Sequence, residues 1–260
     1  MVLFTNTLAS KIASSHIYYP ALISKTVRRP YGLLYHDEDY PSSHMCNHAV
    51  ITDHSGDLGK IIEDITAFYT GRGLMPVLYT SFHRKAYDVL AEPLKSRGYA
   101  IGRYPDGSFF YYPKNVRPEG SYSSNVERVR RPGKEILSMF SDDDEGRYNR
   151  MVVEKLSSKP GYDLWVYCVR GKPVSAASFV VMNEFNTAVI DNVYTVPEYR
   201  NKGYATAVIR HALKEHRFRS DSLVFLYAYN EQAKRIYQKI GFKKIRLGRL
   251  EFWNAWLDKR

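Results

Sequence analysis

Two short segments in the second half of the chain carry the residues whose types and spacing bear on chemistry. The first is Val193-Tyr194-Thr195-Val196-Pro197-Glu198-Tyr199-Arg200-Asn201-Lys202-Gly203-Tyr204-Ala205-Thr206. An apolar run stops at Pro197 and a helical stripe starts at Ala205, so the segment reads as strand end, short loop and helix start. N–H groups at a helix N-terminus lack intrahelical partners and carry partial positive charge, and Gly203 and Ala205 let a ligand come close to the backbone. Arg200 and Lys202 add full charges. The chemistry is that of an anion cradle. A glycine before a helix also serves as a plain turn, and basic loop residues are commonly just solvated, so this segment alone leaves both readings open. The second segment is Tyr229-Asn230-Glu231-Gln232-Ala233-Lys234-Arg235-Ile236-Tyr237-Gln238-Lys239-Ile240-Gly241-Phe242. Asn230 has the type and place of a helix N-cap, and capping alone accounts for it as well as ligand contact does. Tyr237 carries a phenolic proton, yet it sits on an apolar stripe where core packing is the competing account. Lys239, Gly241 and Phe242 read as helix stop and packing.

The elements that must position these residues are legible from hydrophobic period. Leu164 to Val169 and Val174 to Met182 are strand-like runs flanking Arg170-Gly171-Lys172-Pro173, which makes a hairpin. Thr187 to Val196 is a third strand. Ala205, Val208, Ile209, Ala212 and Leu213 give the i, i+3, i+4, i+7, i+8 stripe of a helix lying on a flat surface. Leu223 to Tyr229 reads as a buried strand, Ala233, Ile236, Tyr237 and Ile240 repeat the helical stripe, and a last strand pair is expected between Phe242 and Trp256. In the first half, Leu58, Ile61, Ile62, Ile65 and Tyr69 form a helical stripe ended by Gly71 and Gly73, and a strand from Met75 to Thr80 follows. Next come a helix from Arg84 to Arg97, interrupted by Pro93, and strands at Tyr99 to Tyr104 and Phe109 to Tyr112. The same order of elements recurs in both halves without sequence identity to match, so an internal duplication enters as a hypothesis. Pro113 to Pro132 is the linker candidate, which divides the chain into lobes of residues 1–125 and 126–260.

Taken jointly, an R-x-x-G-x-A loop after a strand and, about 25 residues on, N-x-x-A-x-x-x-Y-x-K-x-G-F on the next helix resemble the GNAT superfamily of acyl-CoA-dependent N-acyltransferases. The resemblance covers roughly Leu164 to Phe252. It implies an α+β fold: a mixed, mostly antiparallel sheet flanked by helices, in which two neighbouring strands splay to admit the pantetheine arm of acetyl-CoA. It also implies that backbone groups of Val193, Tyr194, Thr195 and Val196 pair with the pantetheine amides, and that amides from Arg200, Asn201, Lys202, Gly203, Tyr204, Ala205 and Thr206 hold the pyrophosphate. Asn230 would bond the arm or the phosphates, and Tyr237 would protonate the departing thiolate. A neutral amine would attack the thioester directly. Relatives supply the base from a carboxylate on the strand before the phosphate loop, which points to Asp191 here, although a polar residue between Ile190 and Asn192 also fits a strand bulge.

The acceptor region implied by the resemblance is Gly133 to Tyr162, where Ser141-Asp142-Asp143-Asp144-Glu145 stands out in a basic protein. Such a run either attracts a cationic amine or simply ends a helix in solvent. The first half has no comparable phosphate loop. It is expected to bind no cofactor of its own and to be a degenerate second lobe that shapes the acceptor groove. Composition sets wider bounds. With 44% hydrophobic residues and a mean hydropathy of −0.41, the 260-residue chain is globular, and no apolar run nears the roughly 20 residues of a membrane span. A cytoplasmic protein without membrane attachment is expected. Cys46 and Cys168 alone make neither a zinc cage nor a disulfide framework, so no metal is expected. Lys and Arg number 38 against 27 Asp and Glu, which favours anionic partners. Two alternatives to an acetyltransferase remain: a catalytically silent CoA-binding regulatory module, and a basic nucleic-acid-binding protein suggested by the charge and 22 tyrosines, for which no nucleic-acid motif is present.

Overall fold

In a computed structural model of the protein, residues 7–83, 85–104, 108–118, 123–228, 230–245 and 252–257 are described. The chain forms two units, one of residues 1–107 with 246–260 and one of residues 108–245. The first runs α1 (Leu8–Tyr18), β1 (Lys25–Arg29), β2 (Gly32–His36), β3 (His48–Ile51), α2 (Leu58–Thr70), β4 (Val77–Tyr79), α3 (Ala86–Lys95) and β5 (Tyr99–Arg103). The chain enters the second unit with β6 (Ser108–Tyr112) and β7 (Val126–Val129), then α4 (Lys134–Leu137), α5 (Asp144–Leu156), β8 (Tyr162–Val169), β9 (Lys172–Met182) and β10 (Thr187–Thr195). It continues through α6 (Tyr204–Arg219), β11 (Leu223–Ala228), α7 (Glu231–Ile240) and β12 (Lys243–Lys244), and returns to the first unit with β13 (Trp253–Leu257).

Each unit is one mixed sheet with helices. The first sheet has the order β1-β2-β3-β4-β13-β5 and the second β12-β6-β11-β10-β9-β8-β7. Every pairing is antiparallel except β3 with β4 and β10 with β11. Both parallel pairs are joined by a helix, α2 or α6, as a parallel connection requires. Setting β7 aside, the sheets repeat one plan: hairpin, third strand, crossover helix, parallel strand, helix, edge strand. This is the α+β architecture the sequence implied, present twice.

The units also exchange strands. β6 follows β5 in the chain but lies in the second sheet between β11 and β12, and β13 follows β12 but lies in the first between β4 and β5. The boundary expected at residue 125 therefore falls at 107/108, and the C-terminus belongs to the first unit. Burial explains the correction: Trp253 and Ala255 of β13 sit in the core with Ile62, Ile65 and Leu78, and Phe110 and Tyr112 of β6 sit with Val208 and Leu226. The strand pair expected between Phe242 and Trp256 is likewise two strands in different sheets. Within the linker candidate, β7 pairs along β8 and buries Val126. The strand expected to end at Tyr229 and the helix expected to start at Arg84 each include a residue outside those described.

In the second unit the stripe of α6, Val208, Ile209, Ala212 and Leu213, is fully buried with Ala177, Phe179, Ala188 and Ile190 of β9 and β10. At about 25 cal/mol per Å² of apolar surface, burial on this scale rather than helix propensity holds α6 across the sheet. No helix among the described residues is long and apolar enough to cross a membrane.

Candidate functional site

β10 has two irregularities, and together they open the site. Its parallel pairing with β11 covers only Thr187↔Leu223, Ala188↔Val224 and Val189↔Phe225, although both strands run on. Beyond Val189 they part, and the β11-facing edge of Ile190 to Thr195 has no ladder with β11. On the other edge the register with β9 shifts between Asp191↔Ser178 and Tyr194↔Ala176, so Asn192 and Val193 face Ala177 alone. That is a β-bulge. Asn192 takes φ +52°, a left-handed conformation that asparagine tolerates better than most residues. It is held there from three sides: its N–H donates to Asp191 Oδ1 at 2.8 Å, its Nδ2 donates to Asn149 Oδ1 of α5 at 3.0 Å, and Ser178 Oγ lies 2.8 Å from its Oδ1. With Asn192 and Asn149 both buried, this network is specified by packing as well as by hydrogen bonding.

The loop after β10 forms one end of the opening. Pro197–Tyr199 makes a single 3-10 turn, and Arg200 Nε donates back to the Thr195 carbonyl at 3.1 Å. Asn201, at φ +62°, accepts from Gln232 Nε2 at 3.0 Å, which ties the loop to α7. Gly203 adopts φ +81° before α6, and no side chain caps the helix. The first helical bond is Ala207 N–H to Gly203 O, so the N–H groups of Tyr204, Ala205 and Thr206 precede it. No acidic residue lies in that turn, and a Cβ at Gly203 would meet nothing within 4 Å. The helix start is an open, positively polarised pole.

Between this pole, β10 and α7 lies a cleft of about 680 Å³. Of the expected cofactor residues, Val193, Tyr194, Thr195, Arg200, Asn201, Gly203, Tyr204, Ala205, Thr206 and Asn230 line it, and so does Tyr237. Val196 lines a separate cleft of about 550 Å³ with Met139 and Pro173. Lys202 is turned aside, its Nζ 5.1 Å from the centre of the Tyr199 ring. Asn230 caps α7, its Oδ1 accepting from Ala233 N–H at 2.7 Å, and its Nδ2 remains as a donor on the cleft wall. Tyr237 is 7% exposed, with ring centres 5.9 Å from Phe242 and 6.5 Å from Phe110, so it is both a core residue and a cleft residue. Asp191 does not line the cleft. It faces α5, with Oδ1 on the Asn192 N–H and Oδ2 3.4 Å from the Tyr148 hydroxyl.

The acidic run is largely occupied. Asp143 caps α5 by accepting from Gly146 N–H at 2.8 Å, and that bond with the Ser141 hydroxyl holds its carboxyl below the usual range. Asp142 pairs with Arg150 at 3.0 Å, and Asp144 pairs with Arg147. Only Glu145 of the run lines the cleft. Sequence reasoning offered a bulge as one reading of Asp191 but did not single out Asn149, Tyr148, Ser178 or Asn192, because the partner on α5 is distant in sequence. It also assigned Lys239 to packing, whereas Lys239 is exposed and lines the cleft with Arg235 one turn earlier. Spacing of four residues on a helix was the signal available for that pair.

The corresponding place in the first unit is different. β3 and β4 pair at Ala49↔Leu78 and Val50↔Tyr79, and β4 ends there. There, however, the Asp57 carboxylate caps α2 by accepting from Lys60 N–H at 3.2 Å, putting negative charge where the second unit has an open pole.

Comparison with known proteins agrees with this geometry. Residues 133–242 match the family model for the acetyltransferase (GNAT) family. No curated protein gives a match. Among solved structures, a GCN5-related N-acetyltransferase from Kribbella flavida shares 15% identity over 97% of this chain and 96% of its own, with a TM-score of 0.63. A functionally unknown conserved protein from Staphylococcus epidermidis shares 15% identity over 90% of this chain and 94% of its own, also at a TM-score of 0.63. A tandem GNAT protein from the clavulanic acid biosynthesis pathway shares 11% identity over 82% of this chain and 76% of its own, at a TM-score of 0.52. At such identities the likeness is one of fold, and it extends over both units. Residues 133–242 of the chain thus match the acetyltransferase (GNAT) family, and both units share the fold of these solved GNAT structures.

Proposed function

We propose that the second unit binds acetyl-CoA and transfers its acetyl group to a primary amine. The observation that carries this reading is the parting of β10 from β11 beyond Val189 beside an uncapped helix start at Gly203. A linear arm with amides needs a free strand edge, and a diphosphate needs unpaired N–H groups at a helix pole; here the two adjoin. In this reading Val193, Tyr194 and Thr195 pair with the pantetheine amides, Asn201 and the N–H groups from Gly203 to Thr206 hold the diphosphate, and Asn230 donates from Nδ2, whereas the N–H groups of Val196 and Arg200 are spent on the Val174 and Pro197 carbonyls. The neutral amine attacks the thioester carbon, a C–N bond forms, and the C–S bond breaks as the tetrahedral adduct collapses. Tyr237 gives its proton to the leaving thiolate. Asp191 receives the amine proton through intervening water, since neither it nor Tyr148 lines the cleft.

The test is calorimetric titration of acetyl-CoA into wild type and Gly203→Glu. The variant places a carboxylate in open space at the helix pole, on a backbone at φ +81° that a side chain strains. Loss of charge-assisted hydrogen bonds to the diphosphate predicts binding weaker by roughly a hundredfold or more. Wild-type binding of acetyl-CoA, lost in the variant, leads to an amine screen followed by thiol release; no wild-type binding removes the reading. One observation favours a second reading, a CoA-binding module without turnover: Asp191 lies off the cleft with both oxygens engaged. Acetyl-CoA binding with no thiol release across small amines, polyamines and lysine peptides would select it.

A further inference from the structure

The second cleft of this unit, of about 550 Å³, shares no lining residue with the first. Its volume is that of a site for a small molecule. The apolar part of the lining lies deep, with Met139 and Pro173 buried and Val196 half-buried, and the charged part is exposed. Glu135 comes from α4, while Arg170 and Lys172 come from the hairpin of β8 and β9, so opposite charges stand on different elements of one cleft. They do not meet. Among the described residues none of these three side chains forms an ion pair or a hydrogen bond, and Lys172 reaches only toward the Tyr199 ring, with its Nζ 6.0 Å from the centre.

The hairpin turn adds an independent observation. Val169 pairs with Lys172, so Arg170 and Gly171 alone make the turn, and both take positive φ, +51° and +77°. A two-residue turn of this kind favours asparagine before the glycine, because asparagine tolerates the left-handed backbone better than a long side chain does. The chain places an arginine there, at a backbone cost, and holds its guanidinium at the rim of the cleft. We propose that this cleft binds a small zwitterion with an apolar body, an apolar amino acid or dipeptide with free termini. The carboxylate is taken by Arg170 and Lys172, the ammonium by Glu135, and the apolar side chains lie on Met139, Pro173 and Val196. A guanidinium fits a carboxylate in a way that a single point charge does not, and a ligand carrying both charges answers both rims at once. The proposal stands apart from the acetyl-CoA reading, since the two clefts are lined by different residues.

The experiment is a chemical-shift titration of the isotope-labelled full chain, without acetyl-CoA, using leucyl-leucine, its N-acetyl derivative and its C-terminal amide. Leucyl-leucine is expected to bind with Kd about 0.1–1 mM, the range open to a ligand of its size, and to shift the amides of Met139, Gly171 and Val196. Each capped peptide should bind about tenfold more weakly, since each lacks one charge-assisted contact. Glu135→Gln should abolish the preference over the N-acetyl peptide, and Arg170→Asn/Lys172→Gln the preference over the amide. Arg170→Asn also relieves the turn, so its thermal stability should equal or exceed that of wild type while binding falls, which a purely structural arginine would not show. No shifts at about 10 mM leucyl-leucine, well above the range expected for such a ligand, would overturn the proposal. Equal affinity for the three peptides, or shifts centred on Val193 to Thr206 instead of this cleft, would overturn it as well.

Discussion

Tyr237 is at once a core residue and a cleft residue. Its ring is buried against Phe110 and Phe242 while the side chain reaches the cleft, so removing the hydroxyl alone leaves the packing in place. Tyr237→Phe is expected to lower kcat by roughly a hundredfold or more, the scale of general-acid catalysis, with acetyl-CoA affinity and thermal stability nearly unchanged. Steady-state kinetics beside calorimetry check this; unchanged kcat would return Tyr237 to the core. Asn192 is the opposite case, a residue with no apparent chemistry on which the site depends. Asn149→Ala leaves the buried Asn192 Nδ2 without its acceptor at a cost of about 1–3 kcal/mol. The expected result is a lower denaturant midpoint and weaker acetyl-CoA binding together. A loss of stability with affinity intact would show that the bulge does not need α5.

At the scale of elements, α6 and α2 differ at their starts. Both helices cross from one parallel strand to the next, yet α6 starts at an uncapped Gly203 and α2 starts at a carboxylate, Asp57. A helix start carrying its own anion does not hold another. The acidic residues before α5 belong to the same logic, since Asp143 caps the helix and Asp142 and Asp144 hold arginines. β13 is the clearest case of an element placed by burial. Trp253 is 2% exposed in the first-unit core although it is near the end of the chain. Trp253→Ala should cost about 3–5 kcal/mol of stability in urea unfolding; a loss under 1 kcal/mol would mean that the returning strand is dispensable.

For the whole molecule, one parting strand pair beside one open pole predicts a stoichiometry of one acetyl-CoA per chain by calorimetry, and two sites of similar affinity would contradict the assignment of the first unit. Stability should also depend on pH through the first unit. His48 is 2% exposed and stacked on Tyr79 at 4.1 Å between ring centres, and burial pushes it down from 6.5 to about 3. Between those values the unfolded chain takes up a proton that the folded chain refuses. Its contribution is therefore complete above pH 6.5 and is lost as the pH falls toward about 3. Unfolding followed from pH 7 to 4 should show falling stability, and His48→Phe, which keeps a ring on Tyr79, should flatten the slope even if it lowers the plateau.

The sequence by itself determined the local elements around the site. Period and punctuation marked the hairpin of β8 and β9, the strand β10, the stripe of α6 and the stop of α7 at Gly241, because these follow from side-chain spacing and from glycine at φ +113°. Loop and motif types named the residues that line the cleft from Val193 to Thr195 and from Gly203 to Thr206. Tertiary structure alone decided what joins residues far apart in the chain. Asn192 in the bulge bonds Asn149, 43 positions away, and only the packing of α7 sets its residues along the cleft. The exchange of β6 and β13 was invisible because a strand's pattern records how much of it is buried, not which sheet buries it.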